Sequence, residues 1–131
     1  LLSMESSLRL SPTDKTPAVT IDLADGRFEI TGCSIPENAD RFFSPIQALA
    51  ERYAQQPAAR TTVRIELTYF NSSTSKYLLD LFKCMADLHA SGRSNVQLEW
   101  WYAPDDLDMK EAGEDYRSLL DLPVKLKLSD V

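Results

Sequence analysis

Three hydroxyl side chains stand in a row where an apolar, β-branched run gives way to an amphipathic run. They are Ser72, Ser73 and Thr74, and they directly follow Asn71. The first turn of an α-helix exposes unpaired backbone N–H groups at the positive end of the helix dipole. Hydroxyls there can cap the helix, and a phosphate carried by one of them would lie in a favourable field. The local physics favours the cap, and the phosphorylation site stays open as the alternative.

Groups that support enzymatic catalysis are sparse. His89 is the single histidine, and Cys33 and Cys84 are the two cysteines. Their number and spacing fit neither a zinc site nor a redox pair. The chain also lacks a G-x-S-x-G nucleophile motif, a P-loop and a Rossmann glycine pattern. We therefore expect a protein that is not an enzyme and that has no metal and no cofactor.

Carboxylates cluster in the last predicted helix. A pair of them could in principle catalyse hydrolysis, but a solvated acidic face is the more ordinary interpretation of such a cluster. Contact with a basic partner is a further alternative. The residues are Asp105, Asp106, Asp108, Glu111, Glu114 and Asp115.

Charge and hydropathy exclude two classes of partner. The net charge of −6 over 131 residues argues against nucleic-acid binding. The apolar runs are far shorter than the roughly 20 residues that span a bilayer, so we expect no membrane insertion. The N-terminus has no basic region followed by an apolar core, as a signal peptide would. These features predict a cytoplasmic protein.

The periodicity of apolar residues predicts eight elements of secondary structure. We predict strands over 17–23, 27–31, 61–70, 95–102 and 124–128, and helices over 38–53 (or 40–53), 73–90 and 104–120. The order β-β-α-β-α-β-α-β, with an opening β-hairpin, predicts a single α/β domain over 17–131 with a mixed β-sheet and about three helices. Residues 1–16 show no periodicity and are predicted to form a flexible N-terminal arm.

Two positions leave alternatives open. Pro45 lies inside the first helical pattern, so it either belongs to the first turn of a helix that begins late or kinks the helix. Trp100 and Trp101 are adjacent on a predicted strand and must point to opposite faces of the sheet. If helices cover both faces, both rings are buried. If one face is open, one of the two becomes a candidate anchor for a partner.

The motif Asn71-Ser72-Ser73-Thr74 resembles the Asp-Ser-Ser-Gly motif of the anti-sigma-factor-antagonist (SpoIIAA-like), or STAS, fold. Asn71 stands in place of the Asp and Thr74 in place of the Gly. In STAS-like proteins a partner kinase phosphorylates a serine at the start of this helix, and a PP2C-type phosphatase removes the phosphate. The resemblance implies a STAS-like regulatory domain.

Four short patterns together resemble the SiaC group of bacterial STAS-like regulators. The similarity runs from about Thr16 to the C-terminus. The patterns are Thr16-Pro17-Ala18-Val19, Ile35-Pro36-Glu37-Asn38, Tyr69-Phe70-Asn71-Ser72-Ser73 and Trp100-Trp101-Tyr102. The resemblance implies a phosphoprotein switched by a dedicated GHKL-type serine/threonine kinase and a PP2C-type phosphatase. It further implies that the unmodified form binds and stimulates a diguanylate cyclase, which promotes biofilm growth through c-di-GMP.

By the same resemblance the phosphoacceptor is Ser72, with Ser73 and Thr74 as fallbacks. We expect the loop before the first helix and the start of the second helix to contact partners at the same end of the sheet. The expected partner-binding residues are Ile35, Pro36, Glu37, Asn38, Asn71, Ser73 and Lys76. The alternative is an anti-sigma-factor-antagonist-like or ligand-sensing STAS module in which the hydroxyls only cap the helix.

Overall fold

Six strands and three helices alternate along residues 7–129, the part of the chain that the computed structural model describes. Their bounds are β1 (Ser7–Leu10), β2 (Ala18–Asp22), β3 (Arg27–Ser34), α1 (Ala39–Tyr53), β4 (Arg60–Phe70), α2 (Ser72–Ala90), β5 (Asn95–Tyr102), α3 (Leu107–Leu119) and β6 (Val124–Leu128). The predicted α/β class is therefore confirmed.

One mixed sheet joins the six strands in the order β1-β2-β3-β4-β5-β6. The first three strands are antiparallel neighbours, whereas β3, β4, β5 and β6 are parallel. Each parallel pair is connected through one helix. Because such crossovers are right-handed and the strand order never reverses, the three helices lie on one side of the sheet.

The core lies between these helices and one face of the sheet. Ile30, Ile65 and Trp100 are neighbours in register on β3, β4 and β5, and each is at most 1% exposed. The residues one position earlier on β3 and β4, Glu29 and Arg64, are only half-buried on the opposite face. All three helices contribute side chains to the same buried cluster. The other face of the sheet is therefore open.

Strand β1 corrects the prediction of a flexible arm over residues 1–16. Ser7–Leu10 pairs antiparallel with β2, and Leu8 lies opposite Ile21. Leu8 and Leu10 alternate with polar residues and pack against the core. Two apolar residues in four are too few to reveal a strand by periodicity, so a sixth strand was missed. The arm predicted for residues 1–6 lies outside the described residues.

Several predicted boundaries also change, and α3 begins at Leu107, after the capping residue Asp106, rather than at residue 104. Strand β3 continues through Ser34, past Gly32, where a loop over 32–37 was predicted. Its register with β4 shifts between Gly32 and Cys33, and the φ of +114° at Gly32 explains why a glycine interrupts the strand there. Helix α2 begins at Ser72 and not at Ser73. Pro45 lies inside α1, which begins at Ala39, so the late start is excluded.

Gly113 lets α3 pack against the largest core side chain. A Cβ atom added at Gly113 would overlap the Trp100 ring and lie 2.8 Å from Cδ2 of Leu126. The Trp100 ring also donates its Nε1–H to the Met109 carbonyl at 2.9 Å. An interior glycine weakens a helix, but here it permits the close approach of helix and ring.

We expect Gly113→Ala to destabilise the protein by about 1–3 kcal/mol, because overpacking at Trp100 outweighs the gain in helix propensity. Urea unfolding measures the difference. Ser118→Ala on the exposed face of the same helix is the matched control and should be neutral or slightly stabilising. A Gly113→Ala variant as stable as the control would contradict this account of the packing.

Candidate functional site

The cap of α2 is the side chain of Asn71 and not a hydroxyl. Its Oδ1 accepts a hydrogen bond from the Thr74 backbone N–H at 3.0 Å, the usual N-cap geometry. The same oxygen accepts a second hydrogen bond from the Ser73 hydroxyl at 3.0 Å. The capping role proposed for the hydroxyls is therefore filled by the residue before them.

Ser72 is the first residue of α2, and its side chain is exposed. Within residues 7–129 its hydroxyl makes no hydrogen bond, whereas Ser73 is half-buried and bonded to the cap. The Ser72 hydroxyl therefore stabilises no other part of the described chain through a hydrogen bond. It projects from the positive end of a helix of 19 residues.

Thr74 has a different environment from the two serines. It is fully buried, and its hydroxyl donates to the Ser34 carbonyl at 3.0 Å and lies 2.9 Å from the Ser34 hydroxyl. The backbone N–H of Asn71 donates to that same carbonyl at 3.2 Å. These bonds join the end of β3 to the start of α2. A kinase cannot reach the Thr74 hydroxyl in this geometry, so Thr74 no longer stands as a fallback acceptor.

Helix α3 holds the first turn of α2 from one side. The Tyr116 hydroxyl donates to the Ser75 carbonyl at 3.0 Å and lies 3.1 Å from the Ser75 hydroxyl. Burial raises the pKa of Tyr116 above its ordinary value, so the phenol stays protonated and remains a donor. No local sequence pattern indicates this pair, because its two members are 41 positions apart.

Helix α1 holds the second turn of α2 from the other side. The Tyr77 hydroxyl donates to the Asp40 carboxylate at 2.8 Å, which raises the pKa of Tyr77. The Tyr77 ring also stacks on Phe43, with ring centroids 5.5 Å apart and planes 10° from parallel. With both contacts in place, the start of α2 is a firm platform for Ser72.

The loop before α1 lies at the same end of the sheet, since it follows Ser34. Its four predicted contact residues are not equally available. Pro36 is buried and Ile35 is half-buried, with its N–H bonded to the Lys15 carbonyl. Asn38 is exposed but caps α1 by accepting from the Arg41 N–H at 3.0 Å. Glu37 is exposed and lies 3.2 Å from the Lys15 ammonium.

A groove of about 410 Å³ runs between α2 and α3 beside Ser72. The predicted contact residue Lys76 is exposed on its rim. Its walls are mostly apolar and include Leu119, which is 70% exposed. No sequence pattern indicates this groove, because it depends on how two helices pack. The lining residues are Phe70, Ser72, Ser75, Lys76, Leu79, Ala112, Asp115, Tyr116 and Leu119.

The open face of the sheet answers the question left by the two tryptophans. Trp100 is buried in the core, whereas Trp101 lies half-buried on the open face. The Arg64 guanidinium lies 4.1 Å above the Trp101 ring centroid, and the ring Nε1–H donates to Glu99 at 3.0 Å. Arg64 also donates to Glu66 at 2.7 Å. Trp101 is thus covered by its neighbours rather than free to anchor a partner.

These contacts hold two carboxylates in the charged form. The hydrogen bond from Arg64 lowers the pKa of Glu66, although partial burial opposes the change. Partial burial alone would raise the pKa of Glu99, but hydrogen bonds from Trp101, Gln97 and Lys127 hold it below its ordinary value.

No group of three potential metal-ligating side chains occurs within residues 7–129. None of the helices in that part of the chain is long and apolar enough to cross a bilayer.

The fold and the site are those of a small α/β regulatory domain with one accessible serine at a helix start. The chain belongs to the SiaC family of regulatory phosphoproteins, since the model of that family matches residues 10–129. The family predicted from the four sequence patterns is therefore confirmed. The broader relation to the STAS fold stays a prediction.

Solved structures agree with this assignment. Apo-SiaC from Pseudomonas aeruginosa is 29% identical and has a TM-score of 0.84, with 93% of this chain and 98% of that chain covered. SiaC of Pseudomonas aeruginosa in complex with the diguanylate cyclase SiaD, whose activator it is, is 27% identical with a TM-score of 0.87 over 93% and 99% of the two chains. An uncharacterized protein of Pseudomonas aeruginosa strain UCBPP-PA14 is 28% identical over 95% of this chain and 98% of its own length.

Removing the cap should separate the roles of Asn71 and Ser72. We expect Asn71→Ala to lower the free energy of unfolding by about 1 kcal/mol, because the Thr74 N–H loses its partner. Ser72→Ala should stay within about 0.5 kcal/mol of the unsubstituted protein. Urea unfolding of both variants is the measurement. Equal losses for the two would show that the Ser72 hydroxyl has a structural role.

Glu66 should make stability depend on acid pH. Its pKa is lowered by folding, so its contribution is present above the unfolded pKa and is lost as the pH falls through the folded value. We expect the free energy of unfolding to fall below about pH 4.5 and this decline to be shallower in Glu66→Gln. Urea unfolding midpoints of the unsubstituted chain and of Glu66→Gln, recorded from pH 6 to about pH 3, measure this difference. Parallel curves for the two proteins would refute the assignment.

Proposed function

We propose that the protein is a non-catalytic, cytoplasmic regulator whose partner binding is controlled by phosphorylation of Ser72. Its unmodified form binds and stimulates a diguanylate cyclase, which promotes biofilm growth. A GHKL-type kinase adds the phosphate and a PP2C-type phosphatase removes it. Membership of a family of regulatory phosphoproteins and the likeness to SiaC bound to SiaD support the proposal.

One observation carries the choice of residue. Ser72 has an exposed hydroxyl without a hydrogen bond in the described chain, whereas Ser73 is bonded to Asn71 and Thr74 is buried. A kinase can therefore reach Ser72 without opening the fold, and Ser73 remains a secondary acceptor. The alternative of a purely structural hydroxyl cluster loses support at Ser72, because Asn71 already caps the helix.

The phosphate should act on the outer surface rather than on the fold. Phosphorylation adds about −1.5 to −2 charges at neutral pH. At the first residue of α2 the helix dipole favours this charge, and exposed Lys76 lies one turn further along the helix. The helix therefore stays intact while a bulky anion appears at the surface. A partner that buries this position would have to desolvate the phosphate, which can abolish micromolar binding.

The proposed contact surface surrounds Ser72. Asn71, Ser73 and Lys76 belong to the start of α2, and exposed Glu37 and Asn38 lie at the same end of the sheet. Ile35 and Pro36 contribute mainly by supporting this loop, because one is half-buried and the other is buried. The kinase, the phosphatase and the cyclase would share this end of the domain.

The test combines phosphate mapping with binding. The proposed GHKL-type kinase, with ATP, should add one phosphate at Ser72, detected by mass spectrometry of peptides. Ser72→Ala should bind and stimulate the cyclase constitutively, and Ser72→Asp should bind at least about tenfold more weakly. Calorimetric titration and the rate of c-di-GMP synthesis are the two readouts.

The matched control for charge is Ala48→Asp, which places a carboxylate on the exposed face of α1. It should leave cyclase binding unchanged. Absence of phosphate at both Ser72 and Ser73, or equal cyclase binding by Ser72→Ala and Ser72→Asp, would refute the proposed switch.

A further inference from the structure

The groove between α2 and α3 and the proposed acceptor are parts of one surface. Ser72 itself lines the groove, together with the apolar side chains of Phe70, Leu79 and Leu119. Leu119, at the end of α3, is 70% exposed, so an apolar side chain is available for contact at the border of the groove. A phosphate on Ser72 would stand on the rim of this groove. Whatever occupies the groove is therefore placed to sense the phosphate.

Two other surfaces are less suited to apolar docking. The wider groove between α1 and α2 is lined by charged side chains, among them Glu51, Asp80, Lys83, Asp87 and Arg93, and it does not include Ser72.

The open sheet face carries a row of alternating charges in cross-strand register. The row is Glu29, Arg64, Glu99 and Lys125. Opposite charges that are direct neighbours on a sheet stabilise one another, and this face is charged rather than apolar.

The negative charge of α3 also limits what can bind in the groove. Residues 105–119, which include α3, contain six acidic residues and two basic ones, Lys110 and Arg117. Asp115 lines the groove itself, opposite Lys76 on α2. Burying an apolar segment here is favourable only if its flanks do not add negative charge. Basic flanks would match the acidic surface of α3 and would speed the encounter of the two proteins.

We infer that this groove, which we call the α2–α3 groove, binds an apolar segment of the effector cyclase that is flanked by basic residues. This inference rests on the proposed function and adds to it the surface and the chemistry of recognition. Leu119 supplies apolar contact at one end, and the Ser72 hydroxyl lies on the rim. The Tyr116–Ser75 hydrogen bonds hold the two walls together. Phosphorylation then blocks the segment, because the phosphate occupies the rim and would have to lose its water where the apolar part of the segment packs.

The decisive comparison uses two leucines of α3 with nearly equal exposure. Leu119 lines the groove and is 70% exposed, whereas Leu107 lies at the other end of the helix, outside the groove, and is 71% exposed. We expect Leu119→Ser to weaken binding of the full-length cyclase by about 10- to 100-fold, the equivalent of losing one buried leucine contact. Leu107→Ser should bind as the unsubstituted chain does. Urea unfolding should show equal stability for both variants, since both side chains are exposed.

A charge variant tests the role of the negative charge of α3. Asp115→Asn should lower the association rate constant for the cyclase and reduce its dependence on salt. Ser72 should remain a kinase substrate in Leu119→Ser, which is measured separately by mass spectrometry.

The possible outcomes separate the two claims. If the unsubstituted chain binds the cyclase but Leu119→Ser and Leu107→Ser bind alike, the groove assignment is wrong while the phosphorylation switch stands. If the unsubstituted chain does not bind the cyclase, both are wrong. If sedimentation shows that Leu119→Ser abolishes self-association and leaves cyclase binding intact, the occupant is a second copy of the chain and the inference is overturned.

Discussion

The hydrogen bonds that join the end of β3 to the start of α2 determine the position of Ser72, the proposed phosphoacceptor. The Ser34 carbonyl accepts from the Thr74 hydroxyl and from the Asn71 N–H, and Ser34 and Thr74 are fully buried. Because Asn71 is held by the sheet, its side chain is placed to cap the helix. Ser72, the residue directly after the cap, is then exposed, whereas Ser73 is half-buried and bonded to Asn71.

This division of tasks explains why a charge can be added without disturbing the fold. The capping amide and the buried hydroxyl maintain the helix start, and α1 and α3 hold it from both sides through Tyr77 and Tyr116. A phosphate at Ser72 has no bond to break. Its effect must therefore appear at the surface, where the apolar α2–α3 groove begins. The structure thus favours control of docking over control of folding.

Much of the fold could be predicted because the local pattern of apolar residues matches the secondary structure of most elements. Alternation identified β4 and β5, and helical spacing identified the buried face of α2, since each is a long element with a regular pattern. Strand β1 was missed because four residues carry too little periodicity. The extension of β3 was not predicted, because a glycine such as Gly32 usually indicates a loop. Here the sheet accommodates Gly32 through a shift in register.

The candidate site was predicted only in part. The family patterns led to Ser72, but local sequence could not show that Asn71 is the cap or that Thr74 is buried against β3. The burial of Thr74 depends on Ser34, 40 positions away, and the Ser75–Tyr116 pair spans a similar separation. The α2–α3 groove depends on where α3 packs, and Gly113 lets that helix approach the Trp100 ring on the sheet. Tertiary contacts therefore determine which of its possible roles each residue of the candidate site has.

The central claim is that Ser72 phosphate blocks docking at the α2–α3 groove while the fold stays intact. The most direct test is the ¹H–¹⁵N NMR spectrum of the chain, recorded with and without the cyclase, before and after phosphorylation of Ser72. Cyclase should perturb Ser75, Ala112 and Leu119 in the unmodified chain. It should leave the phosphorylated chain unchanged, and phosphorylation alone should shift only signals near the start of α2. Perturbation centred on Trp101 and the open sheet face, or equal perturbation of both forms, would contradict the account.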